Sequence, residues 1–285
     1  MAILAMGRFG SGEMTYNSDL DLIFVYDDPS GALDAGSIAS RIAQKLIAVL
    51  ESRTREGYAY KLDLRLRPSG NQGPLVTSLQ GFLDYHRKSS AVWERQALVR
   101  ARVVAGNPAL GAEVERARQE FVFSRGLDEA GVREIAEMRE RMANEIGIED
   151  KNRLNLKQGR GGLIDVEFLT QMMALRHGRD RPALRTRNTR TMLGALHDAG
   201  LMSAADAASM ADNFYFLARL ENRLRIESDQ PAWAVPTDHQ ELLPLARRMG
   251  FQGEDGPERL LKELRQRREQ IHQVFERYFA AESAA

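Results

Sequence analysis

Three aspartates and a short glycine-rich stretch stand out in this sequence as groups able to bind metal and phosphate. Asp19 and Asp21 flank Leu20, and Asp63 lies between Leu62 and Leu64. On a strand, side chains alternate faces, so Asp19 and Asp21 would point the same way, ~7 Å apart. Two acids on one face beside the apolar run Leu22–Tyr26 would repel each other, and a divalent cation removes that conflict. If the strand carrying Asp63 neighbours the first, all three carboxylates converge. Hard oxygen donors suit Mg²⁺, which also binds substrate phosphates. Two such ions, ~3.5–4 Å apart, can clamp the attacking and leaving oxygens of a phosphoryl displacement. The third carboxylate could then accept the proton of an attacking hydroxyl.

The glycine stretch Gly7-Arg8-Phe9-Gly10-Ser11-Gly12 supplies the other requirement. Gly10 and Gly12 would let the backbone approach a polyphosphate, and Ser11 can donate a hydroxyl hydrogen bond. The stretch is not a P-loop, because no Gly-Lys-Ser/Thr follows, and a strand rather than a long helix comes next. An acid pair on a strand is by itself commonly a solvated strand end. The ordered set of glycine-serine loop, acid-x-acid strand, helix and acid-bearing strand carries the reading.

Around these residues, Arg65 and Arg67 share the face of Asp63 by the period-two rule. They would either hold a triphosphate by forked hydrogen bonds or balance the acids. Trp93 is read as packing under the sheet, with Arg100 or Arg102 reaching phosphates as the lesser alternative. The Gly159–Gly162 stretch before a helix could bind an anion. There, Asp165 and Glu167 suit the helix dipole without any other role. The five histidines show no metal-ligand spacing and read as surface or helix-end residues.

The elements that must position these groups are α/β in the first hundred residues. Residues 2–6, 19–26 and 58–66 read as strands, and 37–50 as a helix with apolar residues at helical spacing. A turn signal, Asp27-Asp28-Pro29-Ser30-Gly31, closes the second strand. Helical patterns then follow at 79–87, 92–104, 108–123, 132–146, through 175, and at 191–198, 204–226, 241–249 and 260–279. The two domains expected are 1–125, carrying the site, and 126–285, helical.

Composition sets the outer bounds. The 285 residues carry 43% hydrophobic and 28% charged side chains, which excludes a disordered or collagen-like chain. With no cysteine there is no disulfide, no Cys-ligated zinc and no thiol nucleophile. A cytoplasmic setting fits a chain without cysteine, and no apolar run approaches the ~20 residues of a membrane span, so no membrane partner is expected. The formal net charge of zero argues against a basic nucleic-acid binder. That neutrality is uneven: residues 1–34 hold one basic and six acidic residues, and residues 53–105 hold ten basic and four acidic.

The order Gly-Ser, Asp-x-Asp, then a third Asp resembles the nucleotidyltransferase superfamily that includes DNA polymerase β. The strings GRFGSGEMTYNSDLDLIFVYD, DLRLRPSGNQGPLVTS, WERQALVRARVVAGN and GRGGLIDVEFLTQ resemble glutamine synthetase adenylyltransferase more specifically. The resemblance runs from Met1 to about His177 and more weakly beyond. It implies an α+β fold: a mixed-sheet nucleotidyltransferase core followed by an all-α helical bundle. It implies two Mg²⁺ ions on Asp19, Asp21 and Asp63, with Asp63 helping to deprotonate the attacking tyrosine. Gly10, Ser11, Arg65 and Arg67 would hold ATP, the substrate. The partner implied is glutamine synthetase, with a PII signalling protein acting through regions outside this chain.

Family members carry two catalytic halves, one adding AMP to a tyrosine from ATP and one removing it by phosphorolysis; this chain holds a single half. Arg67–Gly70 and Gln96–Arg100 look more like the adenylylating half, and Leu217–Asn222 like the other. Adenylylation is the reading taken, with removal as its alternative. The family usually has Gly-Gly where this chain has Gly10-Ser11, a departure the superfamily accepts. A nucleotide-binding sensor without turnover is the alternative from another class, and three intact acids argue against it. Opening directly on a strand suggests a piece of a longer chain.

Overall fold

The computed structural model describes residues 1–28, 31, 34–57, 59–226 and 233–284. Pro29 and Ser30 of the turn signal, and Tyr58 of the third expected strand, lie outside the described residues. The chain divides into two compact units, residues 1–126 with 178–188, and residues 127–177 with 189–285.

The first unit is built on a mixed sheet. Its strands are β1 (Ala2–Ala5), β2 (Leu20–Tyr26), β3 (Leu62–Asp63), β4 (Val76–Ser78) and β5 (Arg102–Gly106), in the order β3-β2-β1-β5 with β4 also on β2. β1 runs antiparallel to β2 and β5, whereas β3 and β4 run parallel to β2. The helices are α1 (Gly7–Ser11), α2 (Ala35–Leu50), α3 (Leu79–Lys88), α4 (Val92–Leu98) and α5 (Pro108–Phe123). The even positions of β2, Leu20, Leu22 and Phe24, form a core with Ala5, Val76 and the α2 alanines Ala39 and Ala43. Small alanines let α2 lie close on the sheet, so the contact face is offset from the larger residues, and Ile38 and Ile42 are exposed. Ile23 and Val25 are buried on the opposite face, which explains why β2 turns continuously apolar after Asp21.

Two expectations are corrected here. The helix read over 92–104 ends at Leu98, and Arg102–Gly106 is instead a strand paired with β1. Val103 and Val104 are β-branched and suit the pleated pairing that Ala2–Ala5 offers. The strand read over 58–66 shrinks to Leu62–Asp63, because the Asp63 carboxylate accepts the backbone N–H of Arg65 at 2.9 Å and turns the chain.

Trp93 is also corrected: it is 40% exposed, and α4 buries Glu94, Arg95, Gln96 and Leu98. Glu94 accepts from the Tyr85 hydroxyl at 2.7 Å and from the Ala91 N–H at 2.8 Å. Arg95 donates to the Val122 carbonyl near the end of α5.

His86 departs from the surface reading as well. Its ring packs among Phe82, Tyr85 and Phe121, and burial holds its pKa down to about 4. A histidine depressed in the fold favours the neutral form. Its contribution is therefore complete above the unfolded value of ~6.5 and is lost as pH falls toward 4. Urea unfolding between pH 7 and 4.5 is expected to show a loss of about 2–3 kcal/mol from this group, absent in His86→Phe.

The second unit is helical. It comprises α6 (Glu129–Glu145), α7 (Leu163–His177), α8 (Thr189–Asp198), α9 (Ala204–Arg225), α10 (His239–Met249) and α11 (Gly256–Ala284), with a ribbon of β6 (Arg153–Asn155) and β7 (Ala234–Pro236). α7 is buried over nearly its whole length, including its polar residues Asp165, Glu167 and Gln171. α11 packs against α6, α7, α9 and α10. Among the described residues no helix is long and apolar enough to cross a membrane.

Candidate active site

β2 delivers the acids. Leu20↔Leu62 and Asp21↔Asp63 are register partners across the parallel β2–β3 pair. Asp21 and Asp63 therefore sit side by side, with Asp19 two residues earlier on the same strand line. The Leu20 N–H donates to the Lys61 carbonyl at 2.8 Å, which fixes this pairing at its entrance. Ahead of Asp19, the 13–18 loop is tied by the Thr15 N–H to Ser18 Oγ at 3.0 Å and by Arg8 Nη1 to Thr15 Oγ1 at 3.2 Å.

Arg65 lies on these acids. Its guanidinium donates to Asp63 through Nε at 2.9–3.0 Å and Nη2 at 2.5 Å, while remaining 75% exposed. The bond to Asp63, then its charge, then those of Asp21 and Asp19 hold the Arg65 pKa above its ordinary value. The field of all three carboxylates thus reaches one cation. Arg67 does not join it. With the strand ended at Asp63, the period-two rule no longer applies. Arg67 folds onto its own loop, donating to the carbonyls of Leu64 at 2.7 Å and Pro74 at 3.2 Å.

The glycine stretch is a helical turn rather than an open loop. Gly7 is the glycine beside the acids: its φ is +51°, and a Cβ there would lie 2.3 Å from Asp21 Oδ2. Gly7, rather than the expected Gly10 or Gly12, is the glycine whose missing Cβ leaves room for a carboxylate. Gly10 is closed in by backbone, since a Cβ would lie 2.4 Å from the Arg100 carbonyl and 2.7 Å from that of Ala5. The Ser11 hydroxyl is buried; it accepts from Arg100 Nη2 at 2.7 Å and donates to the Arg8 carbonyl at 3.3 Å. Arg100 also pairs with Glu13 at 2.5 Å. Arg102 donates to the carbonyls of Gly10 at 2.9 Å and Phe9 at 3.1 Å. Arg100 and Arg102 therefore clamp the turn from β5 and the residues just before it. The WERQALVRARVV string gave the types for this clamp but not its target.

Gly10→Ala is expected to cost about 2–3 kcal/mol, because both obstructing atoms are backbone and cannot rotate away. Gly12→Ala meets no atom within 4 Å and carries only the cost of its φ of +74°, about 1–2 kcal/mol. Chemical denaturation of the two variants checks the order; equal losses would show that the clamp is not tight.

The donor chemistry of Asp19, Asp21 and Asp63 fits a hard divalent cation, and Arg65 is paired with Asp63. Among the described residues no three carboxylate or histidine side chains already stand at metal-holding spacing.

The Gly159–Gly162 stretch of the second unit is filled by protein groups. A Cβ at Gly161 would lie 2.0 Å from the Arg268 carbonyl, and Arg268 donates to the Arg160 carbonyl at 2.6 Å. Asp165 is buried, paired with Arg139, and accepts the Gly161 N–H at 2.6 Å. Burial pushes its carboxyl up against the opposing pull of Arg139. Asp165 is thus a partner inside the unit and more than a dipole complement.

Residues 1–117 match the family model described as glutamate-ammonia ligase adenylyltransferase. Residues 132–279 match the one described as GlnD PII-uridylyltransferase. Over 261 residues the chain is 33% identical to a bifunctional glutamine synthetase adenylyltransferase/adenylyl-removing enzyme of Rhizobium meliloti (strain 1021). That similarity covers 88% of this chain and 26% of the relative, so the chain spans about a quarter of that protein's length.

Proposed function

Because the chain belongs to the glutamate-ammonia ligase adenylyltransferase family, we propose that it is a nucleotidyltransferase that moves AMP from ATP to a tyrosine of glutamine synthetase. The observation that carries the reading is the Asp21↔Asp63 register, which sets two carboxylates side by side at the mouth of a mixed sheet. On this reading the first unit is a polymerase β-like nucleotidyltransferase core. Asp19, Asp21 and Asp63 would hold magnesium, which when bound neutralises phosphate charge.

The chain's own groups do the rest. Asp63 accepts the proton of the tyrosine hydroxyl as its oxygen attacks the α-phosphorus, and pyrophosphate leaves. Arg65, exposed and hinged on the turn after Asp63, passes from the carboxylate to the triphosphate oxygens, where a forked pair of hydrogen bonds suits it. Gly7 gives Asp21 its room. Gly10 and Ser11, clamped by Arg100 and Arg102, keep the turn in place beside the triphosphate.

Removal of AMP by phosphorolysis would use the same carboxylates, and the named relative carries both activities in its description. The test is incubation of the chain with glutamine synthetase, magnesium and α-labelled ATP, beside AMP-modified glutamine synthetase with phosphate. Label on the tyrosine is the expected result. Phosphorolysis alone would assign the chain to removal, and nucleotide binding without either reaction would make it a sensor.

A further inference from the structure

Residues 178–188 fall between the two stretches of the second unit but belong to the first. Leu184, in the 3₁₀ turn Pro182–Leu184, is fully buried. Arg185 donates to the carbonyls of Gly178 at 2.8 Å and Arg179 at 2.9 Å, which folds the segment onto itself. Arg187 therefore projects from a pinned stretch of chain. Its Nε donates to the Ala101 carbonyl at 2.7 Å, and its Nη2 pairs with Glu115 of α5.

Glu115 takes a second guanidinium as well. Arg118 donates to it through Nε at 3.1 Å and Nη2 at 2.7 Å, and through Nη1 to the Leu98 carbonyl at 3.0 Å. One carboxylate thus orients two arginines, and each arginine serves a carbonyl of the 98–101 turn between α4 and β5. Leu98 and Ala101 are both buried, so protein donors must satisfy this turn.

The same stretch bears on the glycine turn at several points. The Arg100 carbonyl stands where a Cβ on Gly10 would come within 2.4 Å, and Arg100 Nη2 donates to the Ser11 hydroxyl at 2.7 Å. Arg102 holds the carbonyls of Gly10 and Phe9. A shift of the 98–102 backbone is therefore felt at Gly10 directly. We propose that Arg187 is a positioning residue for the nucleotide end of the site: by fixing the Ala101 carbonyl it steadies Arg100 and Arg102, and through them the glycine turn. Its effect on ATP rests on the nucleotidyltransfer reading, whereas its effect on the turn does not.

The test begins with hydrogen exchange on the full chain without ligands. Arg187→Met keeps the length of the side chain, removes its donors and leaves the Glu115–Arg118 pair in place. The amides of Gly10, Gly12 and Glu13, which donate to the carbonyls of Met6, Phe9 and Arg8, should exchange about tenfold faster. Exchange in α2 should not change. Arg187→Lys can serve the Ala101 carbonyl or Glu115 but not both, and should speed the turn about threefold. Should Arg187→Met not fold, that variant carries the comparison. Arg181→Met, exposed on the same segment, should alter nothing.

In the AMP-transfer assay, Arg187→Met should raise KM for ATP about 5–10-fold with kcat within about twofold. Unchanged exchange at the glycine turn, or α2 opening to the same extent, overturns the proposal. A normal KM beside faster exchange overturns its link to ATP. If the parent chain transfers no AMP, the nucleotidyltransfer reading fails, and exchange alone decides the positioning role.

Discussion

An Asp63→Asn variant is expected to lose AMP transfer by about 10³-fold or more in kcat/KM, with its urea midpoint close to that of the parent. Asparagine has the same shape and can still accept the Arg65 N–H that turns the chain after β3. It cannot take a proton from the tyrosine or offer charge to a cation. The Asp63–Arg65 pair is largely exposed on the arginine side, so its loss should change stability by no more than about 1 kcal/mol. Asp21→Asn should behave alike, because Asp21 is the register partner of Asp63 and its loss leaves two of the three carboxylates the reading requires. Near-normal turnover in either variant, measured with saturating magnesium and ATP, would sink the site assignment.

The largest stability effect is expected at Asp165→Ala, about 3–5 kcal/mol by thermal or urea unfolding. The substitution leaves the buried Arg139 guanidinium without its counter-charge and the Gly161 N–H without its acceptor. Against a typical domain stability of about 5–15 kcal/mol, that loss would populate the unfolded state appreciably. Replacing both partners with leucine should recover much of it, since the cost lies in the orphaned charge rather than in the loss of the pair. If the single and double variants unfold alike, the pair is not what holds the 159–165 turn.

The charge asymmetry between residues 1–34 and 53–105 takes a more local meaning in the fold. Part of it pairs internally: Arg100 answers Glu13 at 2.5 Å, and Arg102 answers backbone carbonyls of the glycine turn. Two arginines of the second segment thus pin the glycine turn, and an exposed third, Arg65, pairs with Asp63.

What the sequence determined by itself was whatever local periodicity and residue chemistry decide. The period-two alternation of Asp19-Leu20-Asp21-Leu22 put leucines in the core and acids on the other face, and Leu20, Leu22 and Phe24 are buried together. The α+β division and most of the helices follow from the same kind of pattern. Which partners those elements meet is a matter of long-range packing. That Arg102–Gly106 is a strand depends on β1, a hundred residues away, offering an edge. That Gly7 rather than Gly10 makes room for an acid depends on where β2 returns beside the turn. That Arg65 reaches Asp63 while Arg67 does not follows from a side chain capturing a backbone N–H and ending the strand. In each case the deciding contact joins residues whose proximity no short-range pattern encodes, or breaks a pattern by one hydrogen bond that costs little to form.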